Sequence, residues 1–239
     1  MATYVLVHGA FRGGWYWGPV RTLLQQAGHH VLAPSLTGMG DRIHLRDQPV
    51  TRDTWVTDIV NLLEYEDVRN VVPVGHSLGG VITSEVSGFS SARIGVLGFL
   101  DAPVLEPGES PADLYDPPSA ATTPAATTPT TTDPSRWSPP LPVNESEITD
   151  AATADWMRAR LTPTPAAPGI GPLRIADPAA LQIPRRIAFC SRTPEMFPAA
   201  RSRARFDAAG RAYDLLDAGH DAPVSAPDLV VGWMRSLVN

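Results

Sequence analysis

A glycine-rich turn around a serine is the clearest chemical feature of the sequence. Gly75, Ser77 and Gly79 form a G-x-S-x-G pattern. An apolar run at 71–75 predicts a strand before the turn, and residues 78–88 predict a helix after it. Glycines suit such a turn because a Cβ atom there would clash with the adjacent strand and helix. The pattern therefore predicts that Ser77 is a catalytic nucleophile at the carboxyl edge of a sheet.

A serine hydroxyl is a weak nucleophile without a general base, and histidine is the usual base. The chain has six histidines, and only His220 follows the last predicted strand at 212–216. That position brings a histidine to the same sheet edge as the serine. We therefore predict His220 as the base. His76, beside Ser77 on the turn, would point away from it and is a candidate for the substrate pocket.

The loop after the first predicted strand, at 3–7, is expected to stabilise negative charge. The backbone N–H groups of Ala10 and Leu78 are the predicted oxyanion hole, and each such donor typically contributes about 2.7–4 kcal/mol in the transition state. Aromatic residues in this loop and in the segment after residue 103 could line an apolar substrate pocket, although packing is the simpler role for each tryptophan; they are Phe11, Trp15, Trp137 and Trp156.

Alternating strands and helices must position these residues. Strands are predicted at 3–7, 30–33, 71–75, 94–100, 186–190 and 212–216. Helices are predicted at 17–27, 53–65, 78–88, 150–161, 198–209 and 225–238. This alternation predicts an α/β fold, with about six mostly parallel strands and helices on both faces of the sheet. Eleven prolines between 103 and 142, with seven threonines between 122 and 132, predict an irregular surface loop at 115–143.

Composition excludes several classes of protein and site. The 239 residues carry a net charge of -6, and all 19 basic residues are arginines, without a basic cluster for nucleic acid. One cysteine allows no internal disulfide or thiolate metal site, and we expect neither metal nor cofactor. The absence of a long apolar run or leader-like N-terminus predicts a cytoplasmic protein without a membrane partner. A small-molecule substrate is expected, and a homodimer is left open.

Several stretches together resemble the α/β-hydrolase superfamily, more narrowly its small esterase and hydroxynitrile-lyase group. This group includes plant methyl-ester esterases and bacterial pyrethroid-type esterases. The matching stretches are Val-Leu-Val-His-Gly-Ala at 5–10, Gly-Trp-Tyr-Trp at 14–17, residues 34–42, 75–80 and 100–102, and Gly-His at 219–220. The resemblance implies an α/β-hydrolase core at 1–103 and 182–239. It also implies that residues 104–181 form an inserted cap.

One departure from the group concerns the acid that orients the histidine. The group places this acid just after the penultimate strand, where this chain has Thr193. Threonine can hydrogen-bond an imidazole but does not stabilise an imidazolium as a carboxylate does. Three alternatives stay open: Asp101 supplies the acid from the end of the fourth strand, Glu195 reaches the histidine through a shifted loop, or there is no acid.

The leading functional hypothesis is a serine-dependent carboxylic ester hydrolase acting on small to medium apolar or aryl esters. The alternative is a non-hydrolytic cyclase or lyase of secondary metabolism with His220 as a lone base, which the missing acid would favour. The hydroxynitrile lyases of this group use a lysine beside the histidine to hold cyanide, as the resemblance implies. This chain has Asp221 there and no lysine anywhere, so cyanohydrin cleavage is not expected.

Overall fold

The computed structural model describes residues 1–115 and 136–238. Most of the predicted Pro/Thr-rich loop, from 116 to 135, lies outside the described residues. In the described part of the chain, no helix has the length and hydropathy that crossing a membrane requires.

The described residues form a series of strands and helices. The strands are β1 (Thr3–Val7), β2 (His30–Leu32), β3 (Val72–His76), β4 (Leu97–Leu100), β5 (Trp137–Ser138), β6 (Thr164–Pro165), β7 (Arg185–Cys190) and β8 (Asp214–Leu216). The helices are α1 (Gly18–Gln26), α2 (Arg52–Tyr65), α3 (Gly79–Ser90), α4 (Ala151–Arg158), α5 (Pro198–Ala208), α6 (Ala222–Ser225) and α7 (Pro227–Ser236). Short 3-10 turns connect them at Gly14–Trp17, Gly40–Leu45, Ser91–Arg93, Pro111–Leu114, Ala167–Gly169 and Pro178–Gln182.

Six strands form one parallel sheet in the order β2-β1-β3-β4-β7-β8. This confirms the predicted α/β fold with about six strands, and every strand pair in this sheet is parallel. A second sheet pairs β5 with β6 antiparallel. The sequence analysis did not predict these two-residue strands, because so short a pairing has no recognisable period.

Both faces of the parallel sheet are buried, as its near-continuous apolar strands require. Side chains alternate along β1: Tyr4 and Leu6 join one hydrophobic cluster, whereas Val5 and Val7 join the other. All four are fully buried. The first cluster includes residues of α1 and α7, and the second includes residues of α2 and α3. Helices therefore cover both faces.

The predicted helix at 225–238 corresponds to α7, which begins at Pro227, and the separate short helix α6 precedes it. The chain breaks between α6 and α7 at Ala226, whose φ and ψ are -145° and 53°. Pro227 follows it, and the ring of a proline disfavours the helical region for the preceding residue. The short α6 therefore begins immediately after His220 and Asp221, and it fixes that loop against the core.

The order of the strands changes direction at one point of the sheet, and the loops that carry the candidate site lie there. β1 lies between β2 and β3, so the connections leaving β1 and β3 diverge at their carboxyl ends. Ligands of open α/β sheets bind in the crevice at such a point. The described part of 104–181 contributes β5, β6 and α4 and supplies no strand of the six-stranded sheet. Its role as a cap stays a prediction.

Candidate active site

The turn between β3 and α3 holds Ser77 in a strained conformation. Its φ is 51°, in the left-handed region that a residue with a side chain rarely adopts. A Cβ on Gly75 would collide with the backbone of Gly79 and Gly80, and a Cβ on Gly79 would collide with the carbonyl of Val7. The turn is thus packed against β1 and its own helix, for the steric reason that the sequence pattern indicates.

Two backbone N–H groups lie beside this serine. Ala10 and Leu78 line one pocket together with Ser77. Among the described residues, neither amide donates a hydrogen bond. The loop comes close because residue 9 is glycine: a Cβ there would lie 2.7 Å from the Cβ of Ser77. Both donors are therefore available to an oxygen bound next to the serine hydroxyl.

His8 holds this loop in shape. Its Nδ1 lies 2.8 Å from the carbonyl oxygen of Gly9, and its Nε2 accepts the N–H of Leu36 at 3.0 Å. The second contact leaves the proton on Nδ1, which donates to Gly9. Burial lowers the pKa of His8 to about 4, so the ring is neutral. With both ring nitrogens engaged, His8 is a structural residue.

The segment predicted as the cap also touches the loop after β1. The N–H of Phe11 donates to Oγ1 of Thr164 at 2.5 Å, and the carbonyl of Phe11 accepts the N–H of Thr162 at 3.1 Å. Phe11 itself has a φ of 64°. Two bonds from one segment therefore maintain a strained residue next to Ala10, whose amide is one of the predicted oxyanion donors.

Asp101 stands behind His220. Its Oδ2 lies 2.5 Å from Nδ1 of His220, and it also accepts the hydroxyl of Thr193 at 2.6 Å. The other oxygen accepts the N–H of Cys190 at 2.9 Å. Asp101 directly follows β4 and has a φ of 43°, a strained geometry that these bonds maintain. Of the three alternatives for the acid, the geometry supports Asp101.

The other two alternatives do not fit the structure. Glu195 is exposed, and no hydrogen bond among the described residues joins it to His220. The alternative without an acid does not fit because the carboxylate of Asp101 lies beside Nδ1 of His220. Thr193, at the position where the group has its acid, instead donates to the relocated carboxylate. The shift from β7 to β4 works because the two strands are parallel neighbours with adjacent carboxyl ends.

The surroundings of His220 determine its protonation. Burial alone would lower its pKa, but the hydrogen bond and charge of Asp101 outweigh burial and raise it. The ring of Phe197 stacks on the imidazole with centroids 4.5 Å apart and planes 14° apart. His76 lies on another side at 4.7 Å. Its Nε2 is 2.8 Å from the carbonyl oxygen of His220, so it donates there.

His76 is a neutral partner to this histidine. Burial, followed by the nearby His220, lowers its pKa to about 3. Its Nδ1 is buried and has no hydrogen-bond partner among the described residues. His76 thus stabilises the main chain at His220 without adding a charge. It also lines the pocket that contains Ser77 and His220, where the sequence analysis placed it.

Ser77 and His220 face one pocket, although no hydrogen bond joins their side chains in the described structure. Nucleophile and base often sit apart in a free enzyme and approach when substrate binds. The serine, the histidine and the aspartate come from the ends of β3, β8 and β4. A serine that shares a pocket with a histidine–carboxylate pair, with two unbonded amides beside it, is an arrangement suited to acyl transfer.

A family model described as "Alpha/beta hydrolase family" matches residues 4–233. The chain belongs to the alpha/beta hydrolase family. A carbendazim hydrolyzing esterase from Nocardioides sp. (strain SG-4G) is 43% identical over 110 residues, which is 46% of this chain and 46% of that protein. An alpha-hydroxynitrile lyase from Arabidopsis thaliana is 31% identical over 47% of this chain and 44% of its own length. The matches thus span about half of these curated relatives.

The fold is shared over almost the whole chain. A pyrethroid hydrolase structure from Sphingobium faniae JZ-2 covers 98% of this chain and 96% of its own, with a TM-score of 0.76 and 20% identity. At that identity the likeness concerns the fold alone. Together these relatives confirm the resemblance to the esterase and hydroxynitrile-lyase group of the alpha/beta hydrolase family.

The aromatic residues predicted for the pocket divide into two sets. Phe11 lines the pocket, as does His76. The three tryptophans are not among the residues that line the two pockets at Ser77, and their place in a substrate pocket stays a prediction. Trp15 packs edge-on against Trp156 at 5.1 Å, and Trp137 packs against the second hydrophobic cluster. An indole in a short loop or on an amphipathic helix buries more surface in such packing than at an open pocket.

Several polar residues at the site escaped the sequence analysis. Asp221, named there only as the neighbour of His220, is buried and pairs with Arg12 at 2.9 Å. The hydroxyl of Tyr16 donates to the same carboxylate oxygen at 3.0 Å. Glu147 lines the same pocket as Arg12 and Asp221. Sequence spacing does not reveal that these residues meet, because they lie far apart in the chain. The charged side chain of Arg12, in the loop expected to stabilise negative charge, was a usable signal of a polar site.

Charges in this pocket are largely paired. Burial alone would raise the pKa of Asp221, but the charges of Arg12 and His220 hold it below its usual value. Burial and the charge of Asp221 raise the pKa of Glu147. Among the described residues, no group of three or more His, Cys, Asp or Glu side chains is arranged to hold a metal ion.

Proposed function

We propose that this protein is a serine-dependent carboxylic ester hydrolase that acts on small to medium apolar or aryl esters through an acyl-enzyme. The observation that carries the proposal is the 2.5 Å contact between Nδ1 of His220 and Asp101. It gives the histidine a carboxylate, which the sequence analysis had left as one of three alternatives, and this histidine shares a pocket with Ser77. The activities of relatives named as esterases support the same reaction class.

In the proposed reaction, Oγ of Ser77 attacks the ester carbonyl while Nε2 of His220 takes its proton. The negative charge moves to the carbonyl oxygen, which the amides of Ala10 and Leu78 stabilise. Collapse of the intermediate breaks the bond to the alcohol oxygen, and His220 returns the proton to that oxygen. A water molecule, deprotonated by the same imidazole, then attacks the acyl-serine and releases the acid.

Asp101 has two roles in this scheme. As an acceptor on Nδ1 it keeps the imidazole in the tautomer whose Nε2 can accept a proton. Its charge stabilises the imidazolium that forms during attack. The raised pKa of His220 has the direction that this role requires.

The non-hydrolytic alternative loses its premise, because it rested on an absent acid. Cyanohydrin cleavage has no lysine to hold cyanide in this chain. The pocket arginine, Arg12, is paired with the carboxylate of Asp221, which reduces its attraction for a free anion. Ester hydrolysis is therefore the reaction that this arrangement favours.

The test combines turnover and labelling. We expect p-nitrophenyl esters to be hydrolysed by the native protein and a fluorophosphonate to label it, with both signals lost in Ser77→Ala. Ser84→Ala is the matched control, since Ser84 is a buried serine of α3 whose hydroxyl donates to Gly80 at 2.8 Å. If Ser77→Ala folds like the native protein and still hydrolyses the esters or is still labelled, Ser77 is not the nucleophile.

A further inference from the structure

A Thr-Pro-Thr-Pro stretch at 162–165 contacts the loop that follows β1. A proline ring holds its own φ at about -65° and restricts the residue before it to extended backbone. Both threonines of this stretch precede a proline, so their main chain has little conformational freedom. Thr164 is also paired with Ser138, because β6 and β5 form the small antiparallel sheet. The stretch is therefore a stiff, extended support.

The chain just beyond this support is fixed to the core. Arg52 of α2 donates to the carbonyl oxygens of Pro168 at 2.9 Å and Pro172 at 2.8 Å. The same guanidinium pairs with Glu85 of α3 at 2.8 Å, and both side chains are buried. Charge-assisted hydrogen bonds of this kind are short and directional. Thr164 lies a short way before Pro168 and is thereby held in a defined place beside the loop.

Thr162 and Thr164 both bond to Phe11. The N–H of Phe11 donates to Oγ1 of Thr164 at 2.5 Å, and the N–H of Thr162 donates to the carbonyl oxygen of Phe11 at 3.1 Å. The first of these bonds uses a side-chain hydroxyl where a paired strand would supply a carbonyl oxygen. Thr164 is only 4% exposed, so water has little access to replace this hydroxyl.

The bond to Thr164 fixes the geometry next to the predicted oxyanion hole. Phe11 has a φ of 64°, which a residue with a large side chain rarely adopts without support. Its N–H belongs to the planar peptide group that joins it to Ala10, so the bond holds that plane. On the other side of Ala10, a Cβ on Gly9 would lie 2.7 Å from the Cβ of Ser77. The direction of the Ala10 amide is thus constrained from both sides.

We infer that Thr164 is a positioning residue for the oxyanion hole: its hydroxyl oxygen holds the peptide after Ala10 and keeps the Ala10 amide directed at the oxygen of the reacting ester. This role rests on the proposed function. The oxyanion forms only as the serine attacks, so a disturbed amide lowers kcat more than it raises KM. A residue of the segment 104–181 therefore contributes to the transition state and not only to substrate access.

Thr164→Val tests this role by replacing the hydroxyl with a methyl group of similar size. With one p-nitrophenyl ester, we expect kcat to fall roughly tenfold or more while KM changes by less than about twofold. Thr164→Ser keeps the hydroxyl and should recover most of the lost kcat. An unchanged kcat in Thr164→Val, or a loss that Thr164→Ser does not recover, would overturn the inference.

Two inhibitors separate positioning from direct contact, because Thr164 also lines a pocket that contains Ser77. Ser77 should add to the carbonyl carbon of hexyl trifluoromethyl ketone while His220 takes the serine proton, which places an oxyanion in the hole. Hexyl methyl ketone should bind without this addition. In Thr164→Val, the inhibition constant of the trifluoromethyl ketone should rise by the factor by which kcat/KM falls, and that of the methyl ketone should stay within about twofold. Equal weakening of both would show contact with the alkyl chain and contradict the inference.

Thr83→Val is the matched control. Thr83 is a fully buried threonine of α3 whose hydroxyl donates to the carbonyl oxygen of Gly80 at 3.1 Å, and it lines neither pocket at Ser77. Its kcat and both inhibition constants should stay near the native values. An equal loss in Thr83→Val and Thr164→Val would assign the effect to any lost buried hydroxyl and sink the inference. Thr164→Ala removes the same hydroxyl and replaces the valine variant if that variant does not fold.

The outcomes separate this inference from the proposed function. A native kcat in Thr164→Val, with hydrolysis still lost in Ser77→Ala, overturns only the role of Thr164. Hydrolysis that continues in a folded Ser77→Ala overturns the proposed function itself.

Discussion

Arg12 and Arg52 are buried to a similar degree but use their guanidinium groups differently. Their exposed fractions are 8% and 6%. Arg52 donates from all three nitrogens: Nε to Pro168 at 2.9 Å, Nη1 to Glu85 and Pro172 at 2.8 Å each, and Nη2 to Ile170 and to Gly171 at 2.9 Å. Arg12 donates to Asp221 from one nitrogen, and its other two have no partner among the described residues.

The difference lies in hydrogen bonding and not in burial. Arg52 fastens residues 168–172 to α2 and α3, because its fork satisfies four carbonyls and the carboxylate of Glu85 together. Arg12 is among the residues that line the pocket of Ser77 and His220, and its two unpartnered nitrogens are buried. A complete set of bonds stabilises the fold, whereas a buried donor without an acceptor costs stability.

His8 and His76 show the same difference in hydrogen bonding as the two arginines. His8 engages both ring nitrogens, whereas His76 engages Nε2 and leaves Nδ1 without a partner. Burial lowers the pKa of both. His76 lines the pocket that contains Ser77 and His220, as Arg12 does. The incompletely bonded members of both pairs therefore lie in the same pocket.

The largest effect is expected at the acid that serves this pocket. Asp101→Asn should lower kcat roughly 10⁴-fold, because the amide favours the wrong imidazole tautomer and cannot stabilise the imidazolium. In the native protein, the ascending limb of kcat/KM against pH should lie above pH 6.5, since the pKa of His220 is raised and only its neutral form is a base.

That limb should move to lower pH in Asp101→Asn, because burial without the carboxylate lowers the pKa of the histidine. The measurement is a pH profile of both proteins with one p-nitrophenyl ester. Glu195→Gln is the control, since Glu195 is exposed. A limb that moves in the Glu195 variant and stays in the Asp101 variant would reverse the assignment of the acid.

The comparison of the two arginines is tested directly by replacing each of them, Arg52 and Arg12, with lysine. Arg52→Lys should lower the free energy of unfolding by roughly 3 kcal/mol, since one ammonium cannot satisfy four carbonyls and a carboxylate. Arg12→Lys should cost about 1 kcal/mol, because only one nitrogen of the native side chain is engaged. Urea unfolding measures both. Equal losses would show that the unpaired donors of Arg12 have no special status.

A further effect, on the pH dependence of stability, concerns the two neutral histidines. Between about pH 4 and 6.5, the unfolded chain binds protons that folded His8 and His76 reject. The free energy of unfolding should therefore fall with falling pH by about 1.4 kcal/mol per pH unit for each histidine. His76→Gln should reduce the slope by one such contribution. An unchanged slope would mean that His76 is protonated in the folded protein.

The sequence predicted most of the fold because periodic apolar patterns reflect local geometry. The run at 71–75 and the glycines after it placed the serine turn within a residue of β3 and α3. The predicted helix at 225–238 begins at Pro227 in the structure, as α7, because the proline disfavours the helical region for Ala226. The pairing of β5 with β6 joins residues far apart in the chain, which no local pattern reveals.

The candidate site was predictable only in part. Ser77, His220, Ala10 and Leu78 follow from strand ends and a recognisable turn, and the structure brings them to one edge. The aromatic lining was less predictable: Trp15 and Trp156 pack on each other, because a large apolar ring is equally suited to a core and to a pocket. A residue type without a positional constraint therefore carries little information about the site.

By itself, the sequence determined which residues could react, since the type and the local turn of Ser77 are written in neighbouring positions. The tertiary structure decided which carboxylate serves the histidine. Asp101 and His220 are 119 residues apart, and their contact depends on the parallel packing of β4, β7 and β8. It also paired Arg12 with Asp221 across 209 residues. Charge pairing acts through distance in space, and only the folded sheet sets that distance.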